Sequence, residues 1–334
     1  MRDDDPMTTV LVTGANGFVG TNLVRALARK GAPVLALARD TPDPETHLFL
    51  SEVADQVTWR VGDVRDREGL CNLAQKHGVD RIVHSAAITP TAEVEREQTA
   101  TVVDVNLVGT VNALEAARAV NARRLVLVSS SGLFGSPANP RRLLNEDDTV
   151  KADTLYTVCK QAAEKFCRLY SHLHGLSIVS GRLGTAYGPM ERASRSRENM
   201  SLIYLLAHHA LRGDTIRVSG TRRVRDFIYI EDAAEAFARL TLATSLRWDR
   251  YNVASDEALT LQDVLEALSQ LRPAFRWDEV DDPERAEVAI FPGRERAPLS
   301  LERLRRDVDF VPQYRLLDGL KSYLDWLESG WQEL

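Results

Sequence analysis

The sequence has few cysteines, no long apolar run and no internal repeat, and each absence removes a class of protein. Cys71, Cys159 and Cys167 stand at unrelated spacings, which exclude a disulfide framework and a zinc-ligand pattern. We therefore expect no metal site, and reduced thiols in a cytoplasmic protein. No segment has the apolar length of a membrane span, and the charged residues of Met1–Pro6 are the opposite of a signal peptide.

Positive charge is not in excess either. The formal net charge of -6 argues against nucleic acid or an anionic membrane as the main partner. The length of 334 residues suits one large α/β unit or two closely packed domains, with a substantial core.

A glycine-rich turn near the start of the chain is the first positive signal. The apolar run Val10–Val12 leads into Gly14, Gly17 and Gly20, and a helical pattern follows. A strand, a glycine turn and a helix in this order present free backbone N–H groups at a helix N-terminus. The missing side chains let a pyrophosphate approach closely, so the turn predicts a dinucleotide site.

Further apolar segments predict a doubly wound parallel sheet. The predicted strands are Pro33–Ala38, Val57–Val61, Arg81–His84 and the run from Arg124 into three serines, with helices between them. Continuous apolar strands in successive βα units require a sheet covered on both faces. The long helix Thr101–Val120 is expected to bury its apolar side, namely Val105, Leu107, Val108, Val111 and Leu114. The segment 136–153 is predicted to be a surface loop.

Residues after the early strands bear on the cofactor. Arg39 follows Ala38, which stands where an NAD site usually has an acidic residue, and an arginine there can accept a 2′-phosphate. This favours NADP over NAD, although Asp40 could serve a ribose. Asp63 is placed to hold the adenine edge. Asn106 lies on a mostly buried helix and needs a partner, either in a local structural hydrogen bond or in a proton relay.

Tyr156 and Lys160 provide the predicted reactive groups. Four residues apart at the start of an amphipathic helix, they share one helix face. We expect the ammonium to lower the pKa of the phenol. With Ser130 at the end of the neighbouring strand, a hydroxyl, a phenol and a cation converge on one carbonyl or alcohol.

Several motifs in a fixed order resemble the extended short-chain dehydrogenases/reductases, the branch with the nucleotide-sugar epimerases and dehydratases. The matching stretches are VTGANGFVG, GDV, VHSAA, VNLVGT, SSSGLFG, YTVCK, GRLGTAYGP and RVRDFIYIED. They span the chain from about Thr8 to Leu327. The resemblance implies a Rossmann domain over residues 1–182, to which 223–256 return, and a smaller substrate-binding lobe, mainly 183–334.

The resemblance and the residues above together give a candidate site. The catalytic set is Ser130, Tyr156 and Lys160, with Ser130 preferred to its two neighbours by counting back from Phe134–Gly135. The cofactor set is Gly14, Asn16, Gly17, Phe18, Val19, Gly20, Arg39, Asp63, Val64, Ala86, Ala87, Asn106, Tyr156 and Lys160. The substrate set is Ser130, Thr185, Asn199, Arg225 and Arg294.

The substrate half departs from the family pattern in two places. Thr185 stands where sugar-nucleotide epimerases commonly have asparagine, and Phe291–Arg294 replaces the frequent Arg-Pro-Gly-Asp. Arg225 resembles the arginine that grips the nucleotide end, although an ion pair with Asp226 or Glu231 is the alternative. The basic cluster Arg192, Arg195 and Arg197 is interpreted as solvated loop charge that could also reach phosphates or carboxylates.

The serine segment limits the chemistry that the resemblance allows. The acidic residues of the family's dehydratases and decarboxylases, and the cysteine–histidine pair of its 3,5-epimerase/reductases, are absent. Our leading hypothesis is a nucleotide-sugar 4-epimerase that uses NAD or NADP. The alternative is an NADP-dependent dehydrogenase or ketoreductase of a sugar, sugar acid or other small alcohol. A non-catalytic NADP-binding regulator is a third hypothesis, disfavoured because Tyr156 and Lys160 are both kept. The resemblance also implies a homodimer through Thr101–Val120 and Thr154–His174.

Overall fold

The structure, a computed structural model, describes residues 9–194 and 196–330. Arg195 of the predicted basic cluster and the Met1–Pro6 segment lie outside the described residues.

Fourteen strands are present in the described residues. They are β1 Thr9–Thr13, β2 Val34–Ala38, β3 Val57–Val61, β4 Val79–His84, β5 Arg124–Ser130, β6 Ile178–Leu183, β7 Thr185–Tyr187, β8 Thr215–Ser219, β9 Val224–Arg225, β10 Phe227–Tyr229, β11 Arg250–Val253, β12 Leu259–Thr260, β13 Arg276–Glu279 and β14 Val288–Ala289.

Twelve α-helices connect them within the same residues. They are α1 Phe18–Arg29, α2 Pro44–Phe49, α3 Arg67–Lys76, α4 Ala92–Glu97, α5 Thr99–Val103, α6 Gly109–Ala119, α7 Leu155–His174, α8 Leu202–Arg212, α9 Ile230–Leu242, α10 Leu261–Leu271, α11 Glu302–Val308 and α12 Leu316–Glu328. Short 3₁₀ turns cover Ser51–Gln56, Ser131–Phe134 and Pro283–Arg285, and a π-helical turn covers Asp104–Val108.

The main sheet confirms the predicted doubly wound α/β fold. Seven strands lie in the order β11-β6-β5-β4-β1-β2-β3, and every neighbouring pair is parallel. The order reverses between β1 and β4, which is the position where open α/β sheets bind their ligands. Helix α9 and β11 return to this sheet after the chain has left it.

Alternating side chains of β1 show how both faces of the sheet are covered. Val10 and Val12 belong to a core shared with α1 and α9, whereas Leu11 belongs to the opposite core with α3, α6 and α7. All three side chains are fully buried. Residues that alternate along a strand point to opposite faces, so a run that is apolar throughout needs two layers of helices.

Strand β3 corrects the prediction that all the strands are buried. It is the edge strand of the sheet, and its burial falls off along its length, with Val61 63% exposed. Edge strands have a neighbour on one side only, so an alternating sequence such as Val-Thr-Trp-Arg-Val suits this place.

The predicted surface loop 136–153 is partly anchored in the core. Leu144 and Glu146 are buried, and Leu144 pairs with Leu299 in an isolated parallel bridge. Glu146 accepts a hydrogen bond from the backbone N–H of Asn252 at 2.9 Å. The loop is therefore tied to β11 and to the segment before α11, which its polar sequence did not indicate.

The long helix predicted from Thr101 to Val120 is present but contains an irregular turn. Helices α5 and α6 are joined by the π-helical turn, whose wider winding shifts the residues after it around the axis. Val108, the last residue of this turn, is 41% exposed and not buried as predicted, and Leu107 and Val111 are half-buried, while Val105 and Leu114 are buried.

A second core supports the C-terminal part of the chain. Helices α8, α10 and α12 pack around β8 and β14, and their buried side chains include Ile203, Leu265 and Leu320. Helix α11 does not join this core, because Leu304 packs with α9 and β11 in the first one. None of the helices in the described part of the chain is both long and apolar enough to cross a membrane.

His84, at the end of β4, is a buried titratable group in the centre of the sheet. Its Nδ1 lies 2.8 Å from the hydroxyl of Thr13. Burial lowers the pKa of His84 to about 3, and the positive charge of Lys160 acts in the same direction. The unfolded chain binds a proton on this histidine near pH 6.5, whereas the folded chain does not.

We therefore expect the folded state to lose stability as the pH falls below 6.5. Lowering the pH from 7 to 5 should reduce the free energy of unfolding by about 2 kcal/mol through His84 alone. In His84→Gln this part of the pH dependence should disappear, whereas His172→Gln, a change at an exposed histidine, should retain it. Urea denaturation at both pH values measures the effect, and equal pH dependence in wild type and His84→Gln would contradict it.

Candidate active site

A cleft of about 950 Å³ opens at the carboxyl ends of the parallel strands. Its wall is built from the residues that follow β1, β2, β3, β4, β5 and β6, because parallel strands end at the same edge of the sheet. Every candidate site residue except Asn106 lines this cleft.

The glycine turn is shaped by close backbone contacts. Gly14 has a φ of +70°, and a Cβ there would come within 2.7 Å of the Cα of Ala86. A Cβ on Gly20 would lie 2.0 Å from the carbonyl oxygen of Gly14. Both positions therefore exclude a side chain, so the turn lies directly against the end of β4.

The start of α1 fits a dinucleotide. No side chain caps this helix at Gly17, which is also true of α5, α6, α9, α11 and α12. The first N–H groups of a helix need an acceptor, and α1 presents them on the cleft wall with the helix dipole behind them. A bound pyrophosphate would satisfy them.

The part of the cleft that follows β3 contains an ion pair between Asp63 and Arg65. Asp63 accepts two hydrogen bonds from the Arg65 guanidinium, the shorter at 2.6 Å, and this contact lowers the pKa of Asp63. Arg39 is exposed at the end of β2, close enough for its charge to act on Asp63. Asp40 also lines the cleft.

Asn106 is placed away from the cleft, contrary to the prediction that it binds the cofactor. Its side-chain oxygen accepts a hydrogen bond from the N–H of Ile88 at 2.7 Å, and its nitrogen donates to the Ile88 carbonyl at 2.9 Å. The side chain is fully buried. Of the two alternatives, the structure has the local structural hydrogen bond, which holds the cleft segment after β4 in place.

The three serines at the end of β5, of which Ser131 begins the following 3₁₀ turn, point in different directions. Ser129 donates to the Glu164 carboxylate at 2.7 Å beneath the sheet, and Ser131 lies against the buried Asp226. Ser130 accepts from the N–H of Gly132 and lies in hydrogen-bonding contact with the Tyr156 hydroxyl. The geometry therefore brings Ser130, rather than either neighbour, to the phenol.

The pKa of Tyr156 shifts in the direction opposite to the predicted one. Burial raises it, while Ser130 and the charge of Arg197 act against that effect. The Nζ of Lys160 lies 5.7 Å from the centroid of the tyrosine ring and donates to the Val128 carbonyl at 2.8 Å. Burial also lowers the pKa of Lys160 to about 8. The spacing correctly predicted that Tyr156 and Lys160 share one helix face. It did not predict that burial disfavours the charged form of both side chains.

A buried ion pair, absent from the sequence prediction, holds the catalytic helix. Glu164 lies one turn beyond Lys160 on α7 and receives two hydrogen bonds from Arg182 of β6, at 3.0 and 2.8 Å. Both side chains are buried, and Ser129 donates to the same carboxylate. The only sequence signal for this contact was Arg182, a charged residue in a segment that otherwise has the apolar character of a buried strand.

Glu95 lines the cleft and was also not predicted from the sequence. It comes from α4, and its carboxylate accepts a hydrogen bond from the backbone N–H of Tyr156 at 3.2 Å. An acidic group at a helix N-terminus is stabilised by the helix dipole. Glu95 thereby fixes the start of α7 beside the catalytic set.

Two of the three arginines in the predicted basic cluster are described, and both are paired. Arg192 contacts Asp43 at 2.8 Å and Glu45 at 2.6 Å, and Arg197 contacts the buried Glu191 at 2.5 Å. These arginines line the cleft, but their charges are largely neutralised by the protein.

Arg225 forms neither of the two ion pairs considered from sequence. Asp226 accepts from the Thr185 hydroxyl at 2.7 Å, and Glu231 contacts Arg25 at 3.4 Å. The Nε of Arg225 is buried and has no hydrogen-bond partner among the described residues. Asn199 and Arg294 line the same part of the cleft, and Arg296, which was not predicted, joins them.

Comparisons with known proteins agree with this geometry. The model of the NAD dependent epimerase/dehydratase family matches residues 10–254. A dTDP-4-dehydro-6-deoxy-D-allose reductase of Streptomyces bikiniensis is 30% identical over 329 residues, which cover 95% of each chain. A dTDP-glucose 4,6-dehydratase of Xanthomonas campestris is 27% identical over 96% of this chain and 93% of its own.

A solved structure extends the similarity to the three-dimensional level. The UDP-glucose 4-epimerase of Thermus thermophilus in complex with NAD has a TM-score of 0.77 and 27% identity. The match covers 96% of this chain and 99% of that one.

Proposed function

The chain belongs to the NAD-dependent epimerase/dehydratase family, and we propose that within it the protein is a nucleotide-sugar 4-epimerase. The observation that carries the proposal is the convergence of Ser130, Tyr156 and Lys160 beside the glycine turn. Relatives that act on dTDP-sugars and a similar UDP-glucose 4-epimerase support the sugar nucleotide as substrate.

Each catalytic side chain has a proposed task at the sugar C4 hydroxyl. Tyr156 takes the hydroxyl proton and later returns it, and Ser130 holds the same oxygen through a hydrogen bond. Because burial raises the pKa of Tyr156, the phenolate needs a nearby cation, and the Lys160 ammonium supplies that charge. The nicotinamide, when bound, supplies the hydride acceptor and donor for C4.

The cofactor is proposed to lie along the glycine turn. The uncapped start of α1 holds its pyrophosphate, Asp63 and Val64 flank the adenine, and Ala86 and Ala87 line its path. Arg39 supports NADP as the preferred form, because a 2′-phosphate there would meet an exposed guanidinium.

The substrate is proposed to lie in the other half of the cleft. Arg225, with its buried and unpartnered Nε, is the diphosphate ligand, and Asn199 and Arg294 complete that end. Thr185 lies between the sugar and the buried Asp226, to which its hydroxyl donates.

A net reductase is the second candidate function. The 30% identical relative from Streptomyces bikiniensis is a reductase of a 4-keto sugar nucleotide, and the same three catalytic residues would serve that reaction. An exposed Arg39 also suits an enzyme that exchanges NADPH in each turnover. The two functions differ in whether hydride returns to the same substrate.

We further propose a homodimer through α7 and the neighbouring π-helical turn. Val158, Phe166, Leu169 and Leu173 of α7 are between 37% and 60% exposed, and the last three recur at helical spacing. Val108 of the π-helical turn, which packs against α7, adds to this apolar face.

The assay for the main proposal compares wild type with Tyr156→Phe. Wild type should interconvert C4 epimers of UDP- or dTDP-sugars without net consumption of cofactor. Removing the phenolic hydroxyl should lower kcat by about 10²- to 10⁴-fold while cofactor binding stays intact. Tyr170→Phe, a change on the same helix outside the cleft, is the matched control. Retained turnover in Tyr156→Phe would overturn its role, and NADPH consumption with 4-keto sugars instead of epimerisation would favour the reductase.

Arg39→Ala tests the cofactor preference. Loss of the guanidinium should weaken NADP binding by about 10- to 100-fold, which is the scale of a charge-assisted contact. The affinity for NAD should change by less than about twofold. Fluorescence titration with both nucleotides measures this, with Arg60→Ala of the exposed edge strand as the control. Equal weakening of the two nucleotides would rule out a phosphate contact.

Leu169→Glu tests the dimer by placing a charge in the centre of the apolar face. Sedimentation velocity should show a dimer for wild type and a monomer for this variant. Leu205→Glu, at a similarly exposed leucine of α8, should remain dimeric. A monomeric wild type at micromolar concentration would contradict the proposal.

A further inference from the structure

Three arginines in the proposed substrate half of the cleft have no ion-pair partner within the part of the chain that the structure describes. Arg225, Arg294 and Arg296 form no ion pair with any acid in the described ranges 9–194 and 196–330. The adjacent Glu295 is already paired with Arg223, at 2.5 Å. This distinguishes the three from Arg192 and Arg197 of the same cleft, whose charges are matched by the protein.

The three positive charges also lie close enough to oppose one another. Burial lowers the pKa of Arg225 to about 10; the charges of Arg296 and Arg294 act in the same direction, and those of Asp226 and Glu295 act against it. Asp226 is hydrogen-bonded to Thr185 and Glu295 is paired with Arg223, so three guanidinium groups without an ion-pair partner in the described residues suit a ligand that brings several negative charges.

Arg296 differs from the other two in its position. Its Nη1 donates to the carbonyls of Gly135 and Glu295, both at 3.1 Å, which fixes the guanidinium. Its Nη2 lies 4.0 Å from the place where a Cβ on Gly132 would be, and that place is only 3.1 Å from the Oγ of Ser130. The free side of Arg296 is therefore at the catalytic end of the cleft.

The shape of a hexose decides what such an arginine can reach. In a nucleotide sugar the diphosphate is attached at C1, on the opposite side of the ring from C4. If Ser130 and Tyr156 hold the C4 hydroxyl, a cation beside Ser130 faces the substituents next to C4 and not the diphosphate. The neighbouring C5 carries the exocyclic carbon, which in a sugar acid is a carboxylate.

We propose that Arg296 binds the C5 carboxylate of a nucleotide-linked sugar acid, and that this class is the preferred substrate. The inference rests on the proposed function, in which the C4 hydroxyl lies at Ser130 and Tyr156. Arg225 and Arg294 then neutralise the diphosphate, and Arg296 neutralises the third anionic group. Gly132 adds no side chain between Arg296 and Ser130, and the methyl group of Thr157, 3.2 Å from the place of a Cβ on Gly132, borders the same space.

The experiment is a binding comparison on the intact protein with its bound or added nicotinamide cofactor. UDP, UDP-glucose and UDP-glucuronate, with the corresponding dTDP compounds, are titrated by calorimetry into wild type, Arg296→Gln and Arg222→Gln. Arg222 is exposed and does not line the cleft, so it controls for the loss of one positive charge.

Wild type should bind the glucuronate more tightly than the glucose compound. Arg296→Gln should weaken the binding of UDP-glucuronate by about 10- to 100-fold, which is the scale of one charge-assisted contact. The affinities for UDP and UDP-glucose should change by less than about twofold. Arg222→Gln should behave as wild type throughout.

Other outcomes separate this inference from the proposed function. Equal weakening of UDP, UDP-glucose and UDP-glucuronate in Arg296→Gln would make Arg296 a diphosphate ligand and overturn the inference. A wild type that binds both sugars equally, or prefers the glucose compound, overturns it without any variant. Epimerase activity on neutral sugars would leave the proposed function standing in either case, whereas no binding of any nucleotide by wild type would remove both.

Discussion

The buried ion pair between Glu164 and Arg182 is the contact on which the site depends. Two charges in the interior are stable only when their geometry is well matched, so this pair permits one alignment of α7 across β5 and β6. Lys160 and Tyr156 lie one and two turns before Glu164 on the same helix. Fixing the glutamate therefore also fixes the distance from the phenol to Ser130, and Ser129 ties the neighbouring strand to the same carboxylate.

The cleft combines this candidate catalytic end with two regions that are proposed to bind anions through groups of different origin. At α1 the binding groups are backbone N–H groups, which become available because glycines bring the turn against β4. In the proposed substrate half they are guanidinium groups that form no ion pair with an acid of the described residues. The first arrangement suits a pyrophosphate lying along the sheet, and the second suits a ligand with more than one negative charge. The protein's overall negative charge gives no hint of either, because both are local.

Several sequence predictions were wrong for the same reason, namely that they treated a residue without its tertiary neighbours. The ammonium of Lys160 was expected to lower the pKa of Tyr156, but burial, which depends on the packed fold, raises it, and the opposing effects come from Ser130 and Arg197. Val108 was assigned to the buried face of a regular helix, and the π-helical turn moves it to the surface. Asn106 was assigned to the cofactor, and both of its polar groups are used by Ile88.

The sequence by itself predicted the doubly wound fold that the structure confirms, because apolar periodicity and glycine placement are local signals. The catalytic roles of Ser130, Tyr156 and Lys160 stay a prediction, which rests on the tyrosine–lysine spacing and on the family resemblance. The sequence also placed Arg39 and Asp63 after strands that are parallel in the structure and end at one edge of the sheet, whereas Arg225 comes from β9, which pairs antiparallel with β12 outside that sheet. Only the tertiary structure decided which charges are neutralised. Arg192 and Arg197 meet acids from distant segments, while Arg225, Arg294 and Arg296 meet none in the part of the chain described. Such pairing depends on contacts between residues far apart in sequence, which no local pattern records.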